Sequence, residues 1–246
     1  MLKREEHMDK KHYSFYDMVK NWTVSDFRTP GIKAEVIVDM LISDFIVDLI
    51  QYHYWDREQY TARLLTKELP VKLFPKEGEE EISEENNRNA KVDYLVSVGN
   101  EKLVLVELKT TNDSYVNKQE ERMKEAVKRG PDELLKFYEK IAGRKKGNSS
   151  DRMKYKISFG QYQETLSAAS LSREGFKELD YLYISLTDYN RLPEGKKLIL
   201  EDYCRNGVKY KGFSSWLMND EKGEKRNQLW EKVSDILLEC AGKPVK

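Results

Sequence analysis

The sequence predicts an α/β domain in which a mixed central sheet is flanked by helices, with helical additions at the N- and C-terminal ends. Three observations carry this. Residues 91–110 read as a β-hairpin that is apolar on both faces. Residues 180–188, Asp-Tyr-Leu-Tyr-Ile-Ser-Leu-Thr-Asp, give a strand signal of the same kind. The stretches before, between and after them carry helical spacing. The 246 residues suit one large domain, and 39% of them are hydrophobic, enough for a real core. The expected division is a core at 31–188, an N-terminal extension at 1–30 and a mostly helical addition at 189–246.

Taken in order, the opening segment mixes aromatics with charge (His12, Tyr13, Phe15, Tyr16, Trp22), as expected of an extension or lid packed on the main domain. Pro30-Gly31 marks a boundary. Residues 31–53 then predict one helix whose apolar side chains, from Val36 through Phe45 to Ile50, lie nearly all round it, so that it is buried on most sides. A more polar helix is expected at 56–67 and a short strand at 69–75, bounded by Pro70 and Pro75. Residues 76–89 hold six glutamates without periodicity and read as an acidic loop. The hairpin comprises Lys91 to Val98, a turn at Gly99-Asn100-Glu101, and Lys102 to Thr110. Helices are expected at 116–129 and 132–142, divided at Gly130-Pro131, then a basic loop at 144–152 and a helix over about 159–171. After the strand at 180–188, an amphipathic helix closes the chain at 226–240, with Leu229, Trp230, Val233, Ile236 and Leu237 on one side. That stripe reads as core; a homodimer contact is its other use.

Composition excludes several classes. The 15 Tyr, 8 Phe and 4 Trp argue against a disordered chain. No apolar run approaches the roughly 18 residues that span a bilayer, so no membrane partner is expected. The first residues lack an apolar signal core, and Cys204 and Cys240 show no metal-like or redox-like spacing, which together suggest a cytoplasmic protein with two free thiols. The 43 basic and 43 acidic residues cancel, so binding of a polyanion has to come from local patches.

The chemistry lies in the hairpin. Side chains alternate along a strand, so Glu107 and Lys109 share a face. The position of Asp93 depends on the turn. A two-residue turn at 99–100 puts Asp93 and Glu107 on opposite faces; a three-residue turn at 99–101 sets them directly opposite each other, with Cβ atoms about 4.5–5.5 Å apart. The site requires the second register, or a bulge of equal effect. Two carboxylates that close repel unless a cation lies between them, and a hard ion such as Mg²⁺ or Mn²⁺ suits oxygen ligands. Lys109 is then placed to orient a water or to balance charge on a phosphate. The plain alternative is an ordinary Glu–Lys pair on a solvent face. The apolar character of both hairpin faces argues against it, because a charge on a sheet buried from both sides needs a reason.

At these residues the chain resembles the PD-(D/E)XK nuclease superfamily, whose members share a restriction-endonuclease-like fold. The matching pieces are Lys91-Val92-Asp93-Tyr94-Leu95-Val96 and Val104-Leu105-Val106-Glu107-Leu108-Lys109-Thr110, with Val92 where the motif's name has Pro. The resemblance covers about residues 31–188 and implies an αβββαβ core. It implies Asp93 and Glu107 as metal ligands, the Leu108 carbonyl as a further ligand, and Lys109 in the chemistry. Many members add an acid from the first core helix; Glu35 is the best-placed candidate, with Asp39 one turn on as its substitute. A carboxylate in a first helical turn is also favourable against the macrodipole without any metal. One branch carries a Gln-x-x-x-Tyr helix; here Gln161 is followed by Thr165 at the Tyr position, leaving Gln161 and Gln163 as auxiliary candidates.

The implied function is Mg²⁺- or Mn²⁺-dependent hydrolysis of phosphodiester bonds, with DNA as the partner. Arg144, Lys145, Lys146, Arg152, Lys154 and Lys156 are candidates to grip phosphates, against the commoner reading of a solvated loop. The rival class is a binding or scaffold protein that keeps a nuclease fold without catalysis, and a third reading is a hydrolase of another phosphate-containing substrate. His7, His12 and His53 show no ligand spacing.

Overall fold

The computed structural model describes residues 15–27, 34–54, 61–71, 91–111, 115–144, 149–205, 213, 217 and 223–242. A five-stranded sheet carries the chain order β1 (Ala62–Leu69), β2 (Val92–Val98), β3 (Lys102–Lys109), β4 (Glu178–Ser185) and β5 (Lys197–Ile199) straight across it. The first three strands are antiparallel neighbours, whereas β4 and β5 join in parallel, so the sheet is mixed.

Helices cover both faces. One layer comprises α1 (Phe15–Phe27), α2 (Ala34–Ile42), α3 (Ile46–Tyr54), α7 (Leu200–Cys204) and α8 (Gly223–Ala241). It packs on the row Tyr94, Val96, Val104, Val106, Leu108, Leu182 and Ile184. The other layer comprises α4 (Asn117–Arg129), α5 (Pro131–Ala142) and α6 (Ser149–Ala168), and meets Leu95, Leu103, Leu105, Tyr181 and Tyr183. Both hairpin faces are therefore buried, as their composition implied. In α8, Trp230, Val233, Ile236 and Leu237 enter the first core, and the Trp230 ring stands edge-on to Phe45 at 5.0 Å; Leu229 is exposed instead. α1 packs on α8 and α2, with the Tyr16 hydroxyl donating to Asp235 at 2.7 Å.

Several expectations need correction. The helix expected over 31–53 is two, broken at residues 43–45. There Ser43 Oγ donates to the Met40 carbonyl at 3.1 Å and Arg226 Nη2 takes the Asp44 carbonyl at 2.6 Å, so polar partners replace the missing helical turn. Val36 and Met40 also point to solvent, so α2 is less buried than its composition suggested. Residues 62–67 are strand, not helix. Ala-Arg-Leu-Leu-Thr-Lys-Glu-Leu is made of good helix formers, but propensity is worth only tenths of a kcal/mol per residue. The buried edge of β2 needs backbone partners, and β1 supplies them through a bulge between Leu64 and Thr66. The strand expected at 69–75 ends at Leu69; residues 72–75 and the acidic loop at 76–89 lie outside the described residues. α6 begins about ten residues earlier than its apolar spacing suggested, so Arg152, Lys154 and Lys156 sit on a helix, not in a loop. Lysine and arginine are good helix formers, and their charge had masked the helix. The short strand β5 was not anticipated. His7, His12 and Tyr13 lie outside the described residues.

Gly99 opens the turn of the β2–β3 hairpin at φ 64°, a region that costs an L side chain about 1 kcal/mol. Gly99→Ala is accordingly expected to lower unfolding free energy by about 1 kcal/mol in urea titration, with an unchanged m-value; no loss would mean that the turn relaxes into another form.

Candidate metal centre

The hairpin pairs Tyr94 with Val106, Leu95 with Leu105 and so on to Val98 with Lys102, leaving residues 99–101 as the turn. This is the three-residue register that sets Asp93 opposite Glu107. The regular pairing stops just there. Val92 joins the α4–α6 layer although Tyr94, two residues on, joins the other layer, so side-chain alternation slips at Asp93. On the far side of Asp93, Glu68 of β1 adopts φ 57°, a left-handed conformation unusual for a glutamate. The N–H of Leu108 donates to Asp93 Oδ2 at 2.6 Å, so a side chain takes a backbone donor of β3 where the pairing ends.

Glu107 and Lys109 are carried by β3, 3% and 4% exposed, beside Tyr183 and Ser185 of β4 in parallel register. The Lys109 Nζ donates to Glu107 Oε1 at 2.6 Å and to Gln119 Oε1 at 3.3 Å. Gln119, in the first turn of α4, also donates from Nε2 to the Lys91 carbonyl at 3.1 Å, tying the start of β2 to the lysine. From the opposite layer, α2 contributes Glu35. Glu35, Asp93 and Glu107 each bring one carboxylate oxygen to a common point, all within 4.8 Å of one another.

The electrostatics are costly without a cation. Burial pushes the Asp93 carboxyl up to about 8, and the negative charge of Glu107 adds to it; the Leu108 N–H works the other way. Burial likewise raises Glu107, against the pull of the Lys109 ammonium. Glu107 Oε2 is buried and takes no hydrogen bond from the described residues. Three carboxylates against one ammonium leave two negative charges, the complement of a divalent ion. Oxygens bound to one hard cation at about 2.1–2.4 Å lie at most about 4.2–4.8 Å apart, so the triad needs little closure to hold one. An oxygen donor set with an unsatisfied buried oxygen suits Mg²⁺ or Mn²⁺.

Of the candidates from sequence, Asp93, Glu107, Lys109 and Glu35 come together. Asp39 does not join them. It lies on a cleft of about 610 Å³ whose other lining residues include Lys67, Glu68, Asp93, Tyr94, Lys154 and Gln161. Glu107 and Lys109 are not on the cleft wall; Asp93 is the triad member that reaches it. Leu108 enters through its N–H. Arg144 is half-buried after α5, Gln163 is exposed on α6, and Lys145 and Lys146 lie outside the described residues. Gln119 escaped sequence reasoning; its one signal was a polar residue in the first turn of the helix after the Lys109 strand. Gln119→Ala removes one buried and one partly buried hydrogen bond. It is expected to cost about 1–2 kcal/mol in chemical denaturation while sparing divalent-ion affinity, and an unchanged stability would remove Gln119 from the lysine's support.

No protein-family model, curated protein or solved structure matches this chain. The geometry of the site therefore carries the functional argument.

Proposed function

We propose that this chain is a Mg²⁺- or Mn²⁺-dependent nuclease that hydrolyses phosphodiester bonds in DNA, built on the αβββαβ arrangement of PD-(D/E)XK nucleases. The observation that carries the reading is the meeting of Glu35, Asp93 and Glu107 within 4.8 Å, with the Lys109 ammonium 2.6 Å from Glu107. The order α2–α3, β1 to β3, α4 to α6, β4 supports it.

Glu35, Asp93 and Glu107 would hold the cation, joined by the Leu108 carbonyl. Bound there, it supplies charge neutralisation for the phosphate and acidifies a nearby water. The chain's own groups do the rest. Lys109 keeps an ammonium beside the carboxylates, in reach to orient the attacking water or to offset charge on the phosphoryl oxygens. Glu107 and Gln119 hold that ammonium from two sides. The Leu108 N–H keeps Asp93 turned toward the same point. Among the described residues no helix is long and apolar enough to cross a membrane, and neither cysteine forms a disulfide.

The test is incubation of purified protein with single- and double-stranded DNA in Mg²⁺ or Mn²⁺, beside Asp93→Ala and Lys109→Ala. Cleavage by wild type alone supports the proposal. No cleavage by wild type, or equal cleavage by the variants, ends it. The balance of 43 basic and 43 acidic residues favours a second reading, a nuclease-fold scaffold that does not cut. That reading expects an intact fold and no hydrolysis under any of these conditions.

A further inference from the structure

The cleft beside Asp93 carries chemistry that phosphodiester hydrolysis does not itself require. On its α6 wall, Met153 and Ile157 stand one helical turn apart, 60% and 53% exposed. Single exposed apolar side chains are ordinary. Two of them, one turn apart on the wall of a cleft that ends at a carboxylate cluster, call for an apolar partner that reaches the same place. Charges of both signs share the cleft: Asp39, Glu68 and Asp93 line it together with Lys67 and Lys154, Lys154 pairs with Glu68, and Lys67 places its ammonium over the Tyr94 ring at 5.1 Å from the centroid. With a divalent cation held at Asp93, the remaining charges of the lining balance, Asp39 and Glu68 against Lys67 and Lys154, so a phosphate carried by that cation meets no net repulsion and the group beside it is apolar.

A closed DNA duplex keeps its base faces stacked inside, so it brings them to Met153 and Ile157 only where a base step is unstacked, at a cost of roughly a few kcal/mol. An unpaired, unstacked nucleotide offers both surfaces at once. The volume, about 610 Å³, lies in the range of sites that enclose small ring compounds and fits one or two nucleotides of a single strand. Resting on the nuclease reading above, we infer that the cleft takes an unpaired nucleotide adjoining the cleaved bond. Met153 and Ile157 contact its base face, Lys67 and Lys154 meet its phosphates, and the substrate class is single-stranded DNA, including single-stranded ends of a duplex.

The experiment compares binding of a fluorescent oligothymidylate of about 15 nucleotides with a blunt duplex of equal length. Anisotropy is read in Ca²⁺, and cleavage of both is followed in parallel with Mg²⁺ and Mn²⁺. Wild type is expected to prefer the single strand at least about tenfold, and Met153→Ser/Ile157→Ser to lose about tenfold for the single strand alone. Both positions are exposed, and a thermal melt checks that the double variant stays folded. Equal binding of the two forms, binding of neither, or unchanged single-strand binding by the double variant overturns the assignment of the cleft. Cleavage of the blunt duplex as fast as the single strand also overturns it, while leaving the nuclease reading standing. Cleavage of neither form ends the nuclease reading, and the anisotropy comparison still decides what the cleft binds.

Discussion

Asp93→Asn and Lys109→Ala are each expected to lower metal-dependent cleavage of DNA by at least about 100-fold, for different reasons that binding measurements separate. Asn keeps the shape of Asp93 and its contact with the Leu108 N–H but removes one of the three carboxylates around the shared point. Calorimetric titration with Mn²⁺ should therefore show weakened affinity along with the lost rate. Lys109→Ala leaves all three carboxylates and takes away the single ammonium beside them. Affinity for Mn²⁺ should hold or rise while turnover falls, the signature of a group that acts on the reacting atoms. Glu35→Gln against Asp39→Asn asks which acid of α2 matters. Only the first should weaken the ion, because Asp39 lies on the cleft and outside the triad. Equal effects of the two would place the ion elsewhere.

Without divalent ions, the protein should lose stability as pH rises from about 4 to about 8, and Mg²⁺ or Mn²⁺ should restore it. An unfolded aspartate titrates near about 3.9. Asp93 in the fold is pushed up to about 8 by burial and by the charge of Glu107, and Glu107 moves in the same direction. Between those values the folded state holds more protons than the unfolded one, so stability falls with rising pH, and the contribution of Asp93 is complete above about 8. Melting temperatures in EDTA across that range give the slope. The Asp93→Asn variant, which cannot ionise, should melt higher than wild type in EDTA at pH 8 and gain less from added metal. A flat wild-type profile, or no stabilisation by either ion, would remove the cost assigned to the carboxylate cluster. That cost is the physical argument for a cation at this place: three acids around one point, Glu107 buried and Glu35 and Asp93 half-buried, are kept in spite of stability.

Much of this was legible in the chain. The strands around Asp93 and Glu107 are apolar on both faces, and only a sheet covered from both sides buries such strands. Gly130-Pro131 divided two helices where expected, since a left-handed glycine ends one and proline suits the first turn of the next. The residues of β1 were misread because their local preference is helical and their strand state comes from β2. Gln119 was invisible because its partners, Lys91 just before β2 and Lys109 on β3, come from other elements.

The candidate triad shows the same division. Alternation along β3 determined from sequence alone that Glu107 and Lys109 share a face, because the side-chain period of a strand is a property of the backbone. Asp93 was conditional: one residue more or less in the turn moves it to the other face. Tertiary structure decided that condition, through a turn of three residues opened by Gly99. It also decided between Glu35 and Asp39, which lie one turn apart on α2 and differ in sequence terms by little. Which of them meets Asp93 and Glu107 depends on how α2 rests against the sheet, and that is set by packing between layers distant in the chain.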